Sequence, residues 1–321
     1  MKKSIFSQDW PFMAMGGLIL AVFLSTGITA FGQTPSGEPA FKVVFGTSLS
    51  TFEGFGTIQS IDVDIDANRV DSADVAYGTG WVIDVVRTPN SYVALSNVAE
   101  VHVYKFNRFG PPIESYAVPN ATSIAARGKT LLLPRYNGYV VRAVRTPQGL
   151  RTTRLNKTTE IPVSSVSVTS NDYIASYGQL DRRIVVNAIG EDGKLSKTGE
   201  FDGSTFGQVL SMSIVGDELF VLTLFPGDTM CSLQKFGRIG AGLLEPESVS
   251  SLGIPLFPQI GGGNFMSATY AADGSLGVFF LDNSDDTVAI RLFQPGIGIR
   301  KVTGDGGVRY TAIRAFPADM P

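Results

Sequence analysis

Two groups of carboxylates in this sequence have the close spacing that a metal ion would need. The first group falls within one predicted hairpin loop: Asp282, Asn283, Asp285 and Asp286. Oxygen ligands this close together suit a hard cation, Ca²⁺ or another divalent ion, but a plain polar turn is the favoured interpretation and the cation site is the alternative. The second group alternates with apolar residues: Asp62, Asp64 and Asp66. Alternate residues of a strand share one face, so the pattern predicts a strand with all three carboxylates on one solvated face. An EF-hand calcium loop is disfavoured, because Ala67 and Ala73 stand where such a loop has Gly and Glu.

Other side chains suited to catalysis are scarce. The chain has one histidine, His102, and one cysteine, Cys231, which excludes an intrachain disulfide framework, a Cys/His zinc site and a multi-histidine metal centre. His102 occupies a strand position that small or apolar residues hold in equivalent strands, so we predict a structural role for it. A serine–histidine–aspartate triad would have to use this histidine. We predict that Cys231 is a buried strand residue.

Positive charge is concentrated in the middle of the chain. The 321 residues carry a net charge of −3, which gives no support for a nucleic-acid partner. Residues 105–183, however, contain 12 Lys and Arg against 4 Asp and Glu, whereas residues 41–100 and 184–321 are acidic. A basic side of the fold would attract an anionic sugar, polymer or protein partner. Solvated outer strands are the favoured explanation of this charge, because Arg151 and Arg154 lie on a predicted outer strand.

The N-terminus has the order of a targeting segment. Lys2 and Lys3 precede an apolar run over residues 12–31, and polar residues follow Gly32. This order is typical of a secretory signal peptide, which we expect to be cleaved after Gly32 or after Ala30. An uncleaved membrane anchor is the alternative, because about 20 apolar residues can span a bilayer. Both interpretations place the rest of the chain outside the cytoplasm, either periplasmic or secreted. The predicted division is a signal segment, a short linker and a single domain: 1–32, 33–40 and 41–321.

Beyond residue 40 the chain repeats a unit of short strands. Runs rich in Val, Ile, Tyr and Phe end at Gly, Pro, Asn or Asp, and no capped amphipathic helix is evident. The third strand of the unit aligns five times without gaps: 102–106, 140–144, 185–189, 232–236 and 289–293. A first strand recurs six times, beginning at Trp81, Ala121, Ser164, Leu210, Met266 and Tyr310. A tight turn leads from the first strand to the second. The fourth segment is more polar, as expected for an outer strand that faces solvent.

Four antiparallel strands in a unit of about 40–50 residues are typical of a β-propeller blade. Five full blades fit between about residues 80 and 305. Residues 41–78 look like later strands without a first strand, and Tyr310–Phe316 looks like a first strand without a blade. Joining the two segments predicts an all-β, six-bladed β-propeller whose ring is closed by the C-terminal strand. Seven blades would need units of about 41 residues and a further strand set that is not evident.

The repeat resembles secreted bacterial β-propellers of the lactonase-like and YVTN type and, more distantly, the gluconolactonase and regucalcin propellers. The resemblance rests on the rhythm of strands and turns, with Tyr92-Val-Ala-Leu as the nearest match to the YVTN tetrapeptide. Neither Trp10 nor Trp81 precedes an Asp, so the WD-repeat signature is missing. The resemblance implies a propeller fold with its site near the central channel. Regucalcin-like enzymes bind a divalent metal there through carboxylates and Asn, but those ligands have no one-to-one match in this sequence.

One face of such a ring carries the second-to-third hairpins and the crossovers that enter each first strand. We predict a ligand site on this loop face, because loops on a rigid scaffold commonly carry function; the ordinary polarity of loops is the alternative explanation of its composition. The candidate residues are polar or aromatic: Arg135, Tyr136, Asn137, Tyr177, Asp181, Arg182 and Asn264. The leading hypothesis is an exported, non-catalytic propeller that binds a ligand or an envelope protein through this face. The alternatives are a lactonase-like hydrolase, metal-assisted or metal-free, at the channel mouth and a structural ring in an envelope assembly.

Overall fold

The computed structural model describes residues 37–319 with internal gaps, and the predicted signal segment and residues 33–36 of the linker lie outside the described residues. The gaps are 50–51, 78–80, 89, 97–99, 106–110, 119, 128, 136–138, 158–163, 171, 179–181, 193, 206, 242–245, 256–263, 285–286 and 304–307. The described residues belong to the unit Gly37–Pro321. Within them, no helix has the length and apolar character needed to cross a bilayer.

The described residues form six antiparallel sheets of four strands each, which is the predicted six-bladed β-propeller. Blade I contains β1 (Phe41–Leu49), β2 (Phe52–Val63), β3 (Arg69–Tyr77) and β24 (Val308–Pro317). Blade II contains β4 (Val82–Thr88), β5 (Ser91–Ser96), β6 (Glu100–Lys105) and β7 (Glu114–Ala117). Blade III contains β8 (Ala125–Arg127), β9 (Thr130–Pro134), β10 (Tyr139–Thr146) and β11 (Gly149–Lys157).

The other three blades follow in chain order. Blade IV contains β12 (Ser164–Thr169), β13 (Tyr173–Gly178), β14 (Arg183–Ile189) and β15 (Leu195–Asp202), followed by a 3₁₀ turn at Gly203–Thr205. Blade V contains β16 (Gln208–Val215), β17 (Glu218–Leu224), β18 (Met230–Phe236) and β19 (Pro246–Pro255). Blade VI contains β20 (Met266–Tyr270), β21 (Leu276–Ser284), β22 (Thr287–Gln294) and β23 (Gly298–Thr303).

Closure of the ring by the C-terminal strand is confirmed. Strand β24 pairs with β1 along its length, from Phe41 opposite Pro317 to Leu49 opposite Val308. The innermost strand of blade I therefore comes from the far end of the domain, as the unpaired first strand in the sequence predicted. Closure leaves blade I with the same four-strand order as the other five sheets. It also removes an open inner edge from β1, which would otherwise offer unpaired backbone groups to another chain.

The core lies between the faces of adjacent blades rather than at one central point. Second strands are buried on both faces, as in β5, where all six residues are buried. Outer strands are more exposed: β7 alternates half-buried and exposed residues, and only two of the eight residues of β15 are buried, because one face of an outer strand meets solvent. The aromatic rings of Phe41 and Phe279 meet edge to face at 5.4 Å between centroids and join blades I and VI.

Two local predictions differ from the structure. The first strand predicted from Ala121 begins as a single bridge between Ala121 and Arg135, and regular pairing starts only at β8. The predicted acidic strand through residue 66 stops at Val63, because Asp64 accepts hydrogen bonds from the main-chain and side-chain nitrogens of Asn68 at 2.8 and 3.0 Å. These bonds fold the chain into a turn, so the carboxylates of Asp62, Asp64 and Asp66 do not share one strand face.

Candidate functional site

The loop face carries the connections that were predicted to hold a ligand. Arg135 directly follows β9, Arg182 directly precedes β14, and Asn264 lies two residues before β20. Tyr136, Asn137 and Asp181 lie outside the described residues. Arg182 is exposed and takes a positive φ of 54°, which is uncommon for a residue with a side chain. Its carbonyl accepts a hydrogen bond from the amide of Gly203 at 2.6 Å, which fixes the main chain at this corner.

Tyr177 does not lie in a loop, contrary to the sequence prediction. It is the fifth residue of β13, its side chain is 2% exposed, and it belongs to the apolar cluster between blades IV and V. Ile184 and Met212 are part of the same cluster. A ligand on the surface has no access to this ring, so we remove Tyr177 from the candidate site.

Asp282 and Asn283 also lie in a strand rather than in a hairpin loop, because β21 extends to Ser284. The carboxylate of Asp282 accepts hydrogen bonds from Arg291 Nε at 3.0 Å and from the Ser284 hydroxyl at 2.7 Å. Asn283 bonds to the main-chain nitrogen and oxygen of Tyr310 at 2.8 and 2.9 Å, and thereby links blade VI to β24. Both side chains are almost fully buried and already engaged in contacts within the fold.

The predicted cation site at Asp282–Asp286 therefore loses half of its proposed ligands to structural contacts. Arg291 supplies the positive charge next to Asp282 that a metal ion would otherwise supply. Asp285 and Asp286 lie outside the described residues, and the part of the site that depends on them stays a prediction. The described residues bring no three His, Cys, Asp or Glu side chains together as a metal site.

The two scarce side chains singled out in the sequence both lie in strands. His102 is in the middle of β6, where its backbone pairs with Ala94 and Ser115. Cys231 is 2% exposed in β18, and burial raises the pKa of its thiol above the ordinary value of 9.0. A buried thiol whose pKa is raised is a weak nucleophile.

Asn264 ties several blades together at the loop-face end of the ring. Its amide donates to the carbonyl of Ile83 in blade II at 2.8 Å, and its carbonyl accepts from the amide of Ile313 in blade I at 2.8 Å. Its side-chain oxygen also accepts from the Ser211 hydroxyl of blade V at 3.1 Å. Blades II and V are not neighbours in the ring, so Asn264 lies where the innermost strands converge. We call these contacts the Asn264 clasp. Asn264 was predicted to contact a ligand, and in the structure its main chain and its side-chain oxygen link blades instead.

Inner-edge amides of the innermost strands are capped by side chains of the preceding blade. The Ser213 hydroxyl accepts from the amide of Ala268 at 3.0 Å, and the Ser267 hydroxyl accepts from the amide of Ala315 at 2.9 Å. Asp84 accepts from the amide of Ile124 in the same way at 3.0 Å. These bonds satisfy main-chain groups that the sheets leave unpaired toward the axis.

Asp84 also forms a buried ion pair with the closing strand. Its two carboxylate oxygens accept from Nε and Nη2 of Arg314, each at 2.8 Å. Asp84 is 0% exposed, and it further accepts from the Ser123 hydroxyl at 2.7 Å and the Val85 amide at 2.9 Å. Five donors from blades I, II and III thus converge on one carboxylate. No local sequence pattern predicts this contact, because 230 residues separate Asp84 from Arg314.

A pocket of about 280 Å³ lies at the loop-face end of blade III. Five side chains line it: Arg135, Tyr139, Val141, Thr152 and Arg154. The guanidinium carbon of Arg154 stands 3.4 Å from the centroid of the Tyr139 ring, in a cation–π contact. Arg135 is one of the residues predicted for the loop-face site, whereas Arg154 was predicted to be a solvated outer-strand residue. The signal was the two-residue spacing of Thr152 and Arg154, which places both side chains on one face of β11.

Another arginine of blade III is neutralised by a carboxylate. Arg145 of β10 donates two hydrogen bonds to Glu114 of blade II, at 2.9 and 2.8 Å. This pairing lowers the pKa of Glu114 below its ordinary value of 4.5, with burial acting in the opposite direction. Tyr116 also donates its hydroxyl to Glu114, and burial is the main cause of the raised pKa of Tyr116. The group links the outer strand of blade II to the third strand of blade III.

Comparison with known proteins supports the fold and leaves the activity open. No protein-family model and no curated protein matches the chain. Among solved structures, a chain of the nidogen/laminin complex aligns with a TM-score of 0.55 at 9% identity, covering 86% of this chain and 98% of that chain. A protein of unknown function from Desulfotomaculum acetoxidans DSM 771 aligns with a TM-score of 0.53 at 14% identity, covering 84% of this chain and 89% of that chain.

A lactonase-like structure is also among the similar folds. A candidate 6-phosphogluconolactonase from Bacteroides fragilis NCTC 9343 aligns with a TM-score of 0.53 at 8% identity, and the alignment covers 88% of this chain and 99% of that chain. The resemblance to lactonase-like propellers therefore holds for the fold. Identities this low carry no information on the reaction, because one fold hosts many unrelated functions.

Proposed function

We propose that this chain is an exported, non-catalytic β-propeller that binds a negatively charged ligand or partner through its loop face. The observation that carries the proposal is the placement of positive charge. The segment 105–183, with its excess of Lys and Arg, contains blade III and reaches into blade IV. Arg135 and Arg182 stand at the loop-face connections of these two neighbouring blades. A surface of one sign attracts a partner of the other and raises its rate of association.

The Asn264 clasp favours a site away from the axis of the ring. A lactonase-like site at the channel mouth would have to accept substrate where Asn264 bonds to Ile83 and Ile313. The connections of blades III and IV lie outside this clasp. Export is proposed from the order of basic, apolar and small residues before residue 33. Fractionation of cells with an antibody against the domain tests that part separately.

Binding and catalysis are separated by two assays on the purified chain. Retention on immobilised polygalacturonate at increasing salt measures the attraction to an acidic polymer. We expect the double variant R135Q/R182Q to elute at clearly lower salt. Arg238→Gln is the matched control, because Arg238 is also exposed with a positive φ of 52° but follows β18 on the opposite face. Equal loss in both variants would show unspecific charge attraction and contradict a loop-face site.

The hydrolase alternative is tested with a panel of lactones, with and without added Ca²⁺, Mg²⁺, Mn²⁺ or Zn²⁺. The proposal expects no turnover above the uncatalysed rate. Sustained hydrolysis that disappears on heat denaturation would replace the binding function with a lactonase-like activity. This result would place the active site at the channel mouth, next to Asn264.

A further inference from the structure

We propose that the pocket lined by Arg135 and Arg154 is a binding site for one oxyanion group, a carboxylate or phosphate, carried by a molecule about the size of a single sugar. The inference rests on the proposed binding function and assigns it a site and a ligand class. The pocket volume of about 280 Å³ is just below the range of about 300–1,000 Å³ that holds drug-sized ligands. A single small acid therefore fits, whereas an oligomer would have to leave most of its length outside.

The described residues do not balance the charge of the pocket. Two of the five lining side chains are arginines, and none is a carboxylate. In the described part of the chain neither Arg135 nor Arg154 forms an ion pair, whereas Arg145 of the same blade has Glu114 as a bidentate partner. The fold thus neutralises one arginine of blade III and leaves two facing a common cavity. An oxyanion in that cavity would supply the missing charge.

Arg135 has a buried donor without an acceptor. Its Nε is shielded from solvent and has no hydrogen-bond partner among the described residues. Its main chain is fixed by a hydrogen bond from its amide to the Tyr139 carbonyl at 2.7 Å and by the bridge to Ala121. A buried donor left unpaired is costly, so its presence in a polar cavity points to a partner that the described residues do not supply.

Arg154 is held in a defined orientation. Its guanidinium lies 3.4 Å from the Tyr139 ring centroid, so one face of the planar group is covered by the ring. The N–H groups of a guanidinium lie in its plane, and a stacked arginine keeps them available for an acceptor at its edge. Thr152 adds a hydroxyl on the same wall, and Val141, which is 4% exposed, closes the apolar side. This is a small number of polar groups on a fixed surface, as specific small-molecule sites require.

The test is calorimetric titration of the purified full chain with D-glucuronate and with glucose 6-phosphate, using glucose as the uncharged control. We expect at least one of the acids to bind, and glucose not to bind up to about 10 mM. The better acid then identifies the carboxylate or the phosphate as the preferred group. We expect R135Q and R154Q each to weaken binding about tenfold or more, because each removes a charge-assisted hydrogen-bond donor. Arg154→Lys keeps the positive charge but loses the planar guanidinium, so its affinity should lie between those of the wild type and R154Q.

Arg151→Gln is the matched control, because Arg151 is an exposed arginine of the same strand on the opposite face to Arg154. It should change the affinity by less than about twofold. Thermal unfolding of each variant checks that the fold is retained. Binding that survives R135Q and R154Q overturns this site but leaves loop-face binding intact. Absence of binding by both acids, or equal binding of glucose, overturns the ligand class, whereas retention on polygalacturonate tests the broader function independently.

Discussion

Removing the Arg314 side chain that neutralises Asp84 should strongly destabilise the closed ring. In Arg314→Met the carboxylate keeps three of its five hydrogen bonds but loses its counter-charge in a site with 0% exposure. Removal of one partner of a buried ion pair typically costs about 3–5 kcal/mol. For a domain of this size that corresponds to a decrease of about 6–10 °C in Tm. Urea unfolding followed by fluorescence gives the free energy of unfolding directly. The slope of this free energy against urea concentration should be unchanged if the native state keeps its compactness.

Two further variants identify the cause of the loss. Arg314→Lys restores a positive charge without the fork that bonds both oxygens of Asp84, so its stability should lie between the wild type and Arg314→Met. Lys194→Met is the control, because it breaks an ion pair with Asp192 whose side chains are 81% and 54% exposed. It should leave the midpoint of urea unfolding unchanged. If Arg314→Met lowers the free energy of unfolding by less than about 1 kcal/mol, or if Lys194→Met lowers it equally, the buried charge is not what destabilises the variant.

Three other predictions follow from local contacts. Because Arg145 lowers the pKa of Glu114 below 4.5, their pairing stabilises the fold above pH 4.5, and this stabilisation is lost as the pH falls through the lowered pKa. Arg145→Met should therefore reduce the loss of unfolding free energy on acidification, by less than about 1 kcal/mol. An unchanged dependence of the unfolding free energy on acid pH would contradict this. Cys231 should react with a maleimide only after denaturation, as measured by mass spectrometry, and labelling of the native protein would refute its burial. Gly277→Ala should cost about 1–3 kcal/mol in urea unfolding, because the new Cβ would lie 2.9 Å from the Phe41 ring; an unchanged midpoint would show that the ring moves freely.

The sequence was sufficient to predict the architecture because the architecture depends on repeated local patterns. The alignment of the third strands predicted β6, β10, β14, β18 and β22 within a few residues. The closing strand was predicted at Tyr310–Phe316 and is found at Val308–Pro317, since a first strand without a blade has no other place to pair. Strand boundaries were less predictable: Tyr177 and Asp282 have neighbours typical of turns but lie within strands.

The details of the candidate site could be predicted only in part. Arg135 was identified because it adjoins a turn at the loop face, a position that the repeat defines. Arg154 was missed because its stacking on Tyr139 depends on the register between β10 and β11, which includes a bulge. Likewise, the partner of Asp282 is Arg291 on the next strand, and no local pattern shows which carboxylate faces which cation. Side-chain partners across strands are therefore the information that the structure adds.

The pairing of Phe41 with Pro317 also has a consequence for the order of folding. Bringing together two segments about 270 residues apart costs about 3 kcal/mol more loop entropy than closing a ten-residue hairpin. That cost is largely met in advance once blades II to VI have stacked, because the ends of the folded arc then lie close to each other. Formation of blade I is consequently expected to complete folding rather than to begin it. Until then β1 has an unpaired edge, so the slow step and the step most prone to aggregation are the same one.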